Sequence, residues 1–217
     1  MARPHLNDEE RSLRRAQLLD AARDLFQASR ELPSVAAIAQ AAGVAKGSVY
    51  LSFASKEEIF IALLEDSFAS LLRVVVPGLA ALPKQAGAAA DQFSRMYAEA
   101  VADTPDLLQL AGMTNAVLEK NLPVPAMLAF KKGLATGLDM AASALSQSKL
   151  RVDRAQGIDL LLRTWSMTLG LWQTLDFPTE LRSHLRRAPL SVFDRHFSTE
   201  LRQAVCAIWI GSLARNN

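Results

Sequence analysis

Ser34-Val-Ala-Ala-Ile-Ala-Gln-Ala-Ala-Gly-Val-Ala-Lys-Gly-Ser-Val-Tyr-Leu-Ser-Phe-Ala-Ser-Lys56 is the stretch on which the reading of this chain turns. It reads as two short helices joined by a tight turn. Ser34 stands where a helix begins, and its hydroxyl can accept from one of the backbone N–H groups left free there. Val35, Ile38, Ala39 and Ala42 recur at helical spacing and give the first helix one apolar face. Gly43 falls where the chain must turn, a place for positive φ, which glycine adopts at little cost. Val44 fills the corner. The second helix runs from Ala45 or Lys46 to Phe53, with Val49 and Phe53, four apart, facing inward.

The outward residues of the second helix are Lys46, Gly47, Ser48, Tyr50, Leu51 and Ser52, and no acid occurs between Glu31 and Glu57. A helix that enters a DNA major groove needs such a face. It carries no carboxylate to repel phosphate, a glycine for close approach, and hydroxyls and an ammonium as donors. The same spacing also occurs in helical hairpins with a solvated outer face, so periodicity alone leaves both readings open.

The run Ile38-Ala-Gln-Ala-Ala-Gly-Val-Ala-Lys-Gly-Ser-Val-Tyr-Leu-Ser-Phe-Ala-Ser-Lys-Glu-Glu-Ile-Phe60 resembles the DNA-binding signature of the TetR (tetracycline repressor) family of bacterial regulators. The preceding Leu18-Leu-Asp-Ala-Ala-Arg-Asp-Leu-Phe26 is similar to the family's first helix. Three places depart from the pattern. Ala45 stands where the family has Ser or Thr capping the recognition helix, Ala36 where a polar or basic residue is frequent, and Leu32-Pro33 in place of a glycine-containing lead. The resemblance implies an all-α chain. Residues 8–58 would form an N-terminal helix-turn-helix three-helix domain, and 59–217 a larger C-terminal helical ligand-binding and dimerisation domain. It implies that Lys46, Lys56 and Tyr50 hold phosphates while Ser48, Leu51 and Ser52 face base edges. Gly47 would allow close approach, and Leu51 suits a thymine methyl. Ser34 is counted with these DNA-binding residues.

Composition agrees with helices: half of the 217 residues are hydrophobic, aromatics are few, and Ala and Leu abound. Bulk charge does not announce DNA binding, because the net charge is only +2. The first sixty residues balance Arg3, Arg11, Arg14, Arg15, Arg23, Arg30, Lys46 and Lys56 against Asp8, Glu9, Glu10, Asp20, Asp24, Glu31, Glu57 and Glu58. The distribution speaks through the acid-free helix pair and the Arg11, Arg14, Arg15 cluster. The lone Cys206 excludes an intramolecular disulfide and fits a buried, inert thiol. No signal peptide opens the chain, and no apolar run approaches the ~18 residues of a membrane span. The expectation is a soluble, cytoplasmic protein.

Upstream, 8–28 reads as a helix with Leu18, Leu19, Ala22, Leu25 and Phe26 inward. Downstream, Ser55 and Glu58 make a capping box that opens a helix to Val75, stopped by Pro77-Gly78. That helix belongs to both halves, so a shift of the second domain is expected to carry the reader as a rigid body. Further helices are expected at 88–102, 105–120 with Pro105 as first residue, 126–146, 152–175 and 194–213, with a loop or short helix around Arg182 to Arg187.

The helix at 152–175 carries two apolar stripes, and that at 194–213 sets Trp209 and Leu213 beside its main one. The resemblance implies a homodimer through these last two long helices, as a two-fold symmetric DNA operator requires. It also implies an effector cavity among the middle helices. The candidate ligand-binding residues are Phe93, Met96, Tyr97, Met113, Val117, Phe130, Trp165 and Trp172, with Tyr97, Asn115, Thr164 and Gln173 as polar groups able to orient a ligand. A lining rich in Met and aromatics with almost no charge predicts a mainly apolar or aromatic small-molecule effector. Catalysis finds little support. His5, His184 and His196 are scattered, no phosphate-loop motif occurs, and no metal or cofactor is expected. The expected function is a repressor released from a palindromic operator by that effector. The alternative is a helical ligand-binding module that no longer binds DNA, for which Ala36 and Ala45 speak.

Overall fold

The computed structural model describes residues 8–114, 119–187 and 189–214. Ten α-helices cover them: α1 (Asp8–Ser29), α2 (Val35–Ala41), α3 (Lys46–Val49), α4 (Lys56–Ala80), α5 (Ala86–Ala102), α6 (Pro105–Met113), α7 (Val124–Ser146), α8 (Arg154–Leu175), α9 (Thr179–Leu185) and α10 (Phe197–Ala214). Short 3-10 turns lie at Glu119–Asn121 and Leu190–Phe193. No strand occurs among the described residues, so the fold is all-α as expected.

The helices gather into two compact units. The described residues within 1–66 and 109–130 form the first, and those within 67–108 and 131–217 the second. The first is built on the inward stripe of α1. Leu18, Ala22 and Phe26, spaced four apart, are fully buried, and Phe26 sits 6.1 Å from the ring of Phe60 on α4. Val35, Ile38 and Ala39 of α2, with Val49 and Phe53, complete that core. The start of α4 is tied as the capping box requires, with one change. Ser55 Oγ accepts from Glu58 N–H at 3.3 Å, but the Glu58 carboxylate accepts from Ala54 N–H, one residue before the cap, at 2.8 Å.

In the second unit α10 packs against α5 and α8. Pro77 does not stop α4, which runs on to Ala80. Proline at 77 has no N–H to give the carbonyl four residues back, yet the helix continues for three residues beyond it. Gly78 is a close-approach position: a Cβ there would collide with the sulfur of Met96 on α5. α8 begins with a full capping box that the apolar periodicity did not announce. Asp153 Oδ1 accepts from Gln156 N–H at 2.9 Å, and Gln156 Oε1 accepts from Asp153 N–H at 3.2 Å. α10 begins at Phe197 rather than 194, because Asp194 leaves helical geometry at φ −79°, ψ 66°. Its Trp209 and Leu213, expected to flank a dimer face, are buried inside the protomer instead. α6 ends at Met113; the expected continuation through 115–118 lies outside the described residues.

Candidate nucleic-acid interface

The reader begins at Ser34, whose Oγ accepts from Ala37 N–H at 3.1 Å. One lone pair of its hydroxyl thereby caps α2. Gly43 turns the chain at φ +67°, the left-handed region its position called for. Ala45 then precedes α3 with no side-chain cap. α3 is only four residues long, ending before the expected Phe53. Beyond it the chain tightens, and both Ser52 N–H and Phe53 N–H donate to Val49 C=O, at 2.9 and 3.0 Å. Val49 and Phe53 point into the core. Between them Tyr50 and Leu51 stand out, 51% and 69% exposed. Lys46 and Gly47 are exposed, and Ser48 and Ser52 half-buried. The inward phase of Val49 and Phe53 therefore holds, and of the predicted outward set Lys46, Gly47, Tyr50 and Leu51 are the exposed members.

Lys56 differs from the rest. It is half-buried at the start of α4, and its Nζ donates to Leu32 C=O at 3.4 Å, bracing the loop before α2. Arg15, noted in the sequence only as part of a basic cluster, reaches the other end of the reader. Its Nη1 donates to Ser52 C=O at 3.2 Å, and its guanidinium carbon lies 4.2 Å from the centroid of the Phe53 ring. Glu65 on α4 feels it as well: burial holds its carboxyl above the ordinary carboxylate range, and the Arg15 charge offsets only part of that rise. Arg23 ties α1 to α4 through Asp66 at 3.0 Å. Gln109 on α6 donates to Arg30 C=O at 2.5 Å, at a residue held in the left-handed region at φ 57°.

The expected ligand-binding residues divide between the units. Met113, half-buried, and Phe130, buried, lie in the first; Val117 and Asn115 fall outside the described residues. In the second, Phe93 is fully buried and stacks on Trp209 with ring centroids 3.8 Å apart and on Tyr97 at 5.4 Å. The Tyr97 hydroxyl shares a 3.0 Å hydrogen bond with Thr168 Oγ1, and burial pushes its pKa up to about 12. Trp209 Nε1–H donates to Thr164 Oγ1 at 3.0 Å. Tyr97 and Thr164, expected to orient a ligand, are thus occupied within the chain. Met96 covers Gly78. Trp165 packs 5.0 Å from Phe68, Trp172 is half-buried and Gln173 exposed. An open cleft of about 440 Å³ lies elsewhere, between α8 and α10, lined by Gln156, Asp159, Arg163, Ala207, Ile208 and Gly211 among others.

Residues 65–216 match the family described as Tetracyclin repressor-like, C-terminal domain, and residues 18–63 match Bacterial regulatory proteins, tetR family. The chain belongs to the TetR family. It is therefore a transcriptional regulator with a helix-turn-helix and a ligand-binding C-terminal domain. Solved TetR-like structures agree in fold. FadR from Bacillus subtilis, in complex with stearoyl-CoA, is 16% identical with a TM-score of 0.56, over 91% of this chain and 98% of that one. The fatty acid degradation regulator FadR from Bacillus halodurans is 15% identical with a TM-score of 0.56, over 96% and 97%. PfmR from Thermus thermophilus, a TetR family regulator, is 20% identical with a TM-score of 0.53, over 88% and 96%. No curated protein matches the sequence. Among the described residues no helix is long and apolar enough to cross a membrane, and no three His, Cys, Asp or Glu gather as a metal site.

Proposed function

We propose that this TetR regulator is a repressor that occupies a palindromic operator as a homodimer and is released by a small, mainly apolar effector. The observation that carries the reading is the reader's outer side. Tyr50 and Leu51 project between two buried anchors, on a stretch with no acid from Leu32 to Lys56. Lys46 and Tyr50 would take phosphates, and Ser48, Leu51 and Ser52 would meet base edges, with Gly47 leaving room for the duplex. Lys56 is a weaker phosphate ligand in this reading, since its ammonium already meets Leu32. Residues 8–58 would read DNA, and 59–217 would bind effector and dimerise.

Dimerisation through α8 and α10 is supported by what those helices leave uncovered. Leu162, Met167 and Ile210 are exposed, and Gly170 and Gly211 have open space where a Cβ would stand. An obligate interface of this kind buries on the order of 2,000 Å² or more. For the effector, the support is the uncharged Met and aromatic content of the middle helices, and stearoyl-CoA in the FadR structure sets one chemistry to try.

The test has two steps. Duplexes are first selected from a randomised pool by the full-length protein. Hydrophobic compounds are then screened for release of the selected duplex, with stearoyl-CoA set against coenzyme A alone so that the acyl chain is judged apart from its anionic head. Release by apolar compounds supports the reading. Release only by strongly anionic or sugar-like compounds ends the apolar-effector proposal, and failure to retain any duplex favours the ligand-binding module.

A further inference from the structure

The reader is too short to hold its own shape. A four-residue helix fixes several dihedrals for each hydrogen bond it gains, so isolated it would not persist. Its N-terminal end has no side-chain cap at Ala45. Its C-terminal end is held from α1: Arg15 donates to Ser52 C=O and lays its guanidinium over the ring of buried Phe53. The cation also sits at the carbonyl end of the turn, where the backbone dipoles favour positive charge.

We infer that Arg15 is a specificity-determining positioning residue, which fixes the angle at which Leu51 and Ser52 meet base edges rather than serving as a phosphate contact. The inference rests on the DNA-reading face proposed above. Two features of the geometry require arginine. The donor must reach the Ser52 carbonyl while a flat cation covers Phe53, and a lysine ammonium is a point charge that cannot do both. Lysine would keep the positive charge that attracts the phosphate backbone. The two roles therefore separate in one substitution.

Full-length wild type, R15K and R15A are each taken through selection from a randomised duplex pool, and binding to the wild-type-selected duplex and to the unselected pool is measured across salt. Far-UV circular dichroism checks that each variant is folded. R15K is expected to bind the unselected pool like wild type with the same salt slope. It should bind the selected duplex about two- to fivefold more weakly, the scale of a lost cation–π contact at an exposed site. Its own selection should return a more degenerate sequence at the positions under Leu51 and Ser52. R15A should lose the same discrimination. The inference is overturned if R15K discriminates as wild type does. It is also overturned if R15A lowers the salt slope by about 0.9 per monomer and R15K restores it, which marks a phosphate contact. A wild type that enriches no duplex overturns the DNA-reading face itself, an outcome distinct from an R15K that reads as well as wild type.

Discussion

Trp209 on α10 donates its indole N–H to Thr164 Oγ1 on α8 at 3.0 Å, with both residues closed off from water. Thr164 donates its own hydroxyl hydrogen bond to Leu160 C=O at 2.8 Å, so only its acceptor capacity depends on the indole. Trp209→Phe keeps a ring against Phe93 and removes that donor. The expected cost is about 1–3 kcal/mol, combining a lost buried hydrogen bond with a smaller ring. Trp209→Ala should cost about 3–5 kcal/mol. Urea unfolding at fixed protomer concentration measures both; a Trp209→Phe midpoint equal to wild type would show that the bond contributes nothing.

Tyr97 gives the core a dependence on alkaline pH. Burial raises its folded pKa to about 12, above the ordinary phenol value of about 10. The neutral hydroxyl thus favours the folded state fully below pH ~10, and the contribution drains away as pH rises through ~12. Wild type should lose about 2–3 kcal/mol across that window from this group. Tyr97→Phe should lose less over the same range while starting from a lower plateau, because Thr168 gives up its partner. Parallel declines for the two proteins would mean that Tyr97 does not titrate from inside the core.

Tyr50→Ala should weaken operator binding and leave the melting temperature nearly unchanged, because the side chain is half out of the protein. A neutral hydroxyl displaces no counterion, so the salt slope should stay the same. Lys46→Ala should lower that slope by about 0.9 per monomer. If Tyr50→Ala binds normally, the outward face of the turn is not where DNA sits.

Gly211→Leu tests the dimer face. A Cβ at 211 would meet nothing within 4 Å, and leucine favours a helix over glycine by about 0.8 kcal/mol, so the fold should hold. Against a second copy the added side chain should clash. Sedimentation at micromolar concentration should show wild type as a dimer and the variant shifted to monomer; equal dimerisation would place the interface elsewhere.

What was legible in the sequence was local. Leu18, Ala22 and Phe26 at spacing four, Ser34 as a cap, Gly43 as a left-handed turn and Pro105 as a first helical residue each declare themselves within one or two turns of chain. The Asp153–Gln156 box was equally local and could have been read from its spacing. What stayed hidden depends on partners. Periodicity says that Trp209 and Leu213 lie on an apolar face, but not whether that face meets α5 and α8 or a second subunit. Phe93 and Tyr97 likewise read as apolar lining, and only packing shows them filled against Trp209 and Thr168. The same holds for Arg15: an arginine in a basic cluster gives no sign of the carbonyl and ring it grips 37 and 38 positions away.

The bare start of α3 has a physiological consequence. With no hydroxyl at Ala45, the reading conformation is expected to be populated less fully than a capped one, and affinity for the proposed operator to fall by that fraction. A regulator that grips its operator less tightly is cleared at a lower effector dose. On the proposed reading, in which an effector releases the operator, position 45 would act as a trim on the induction threshold. Ala45→Ser should move the dose–response curve toward higher effector concentration without altering which compounds induce.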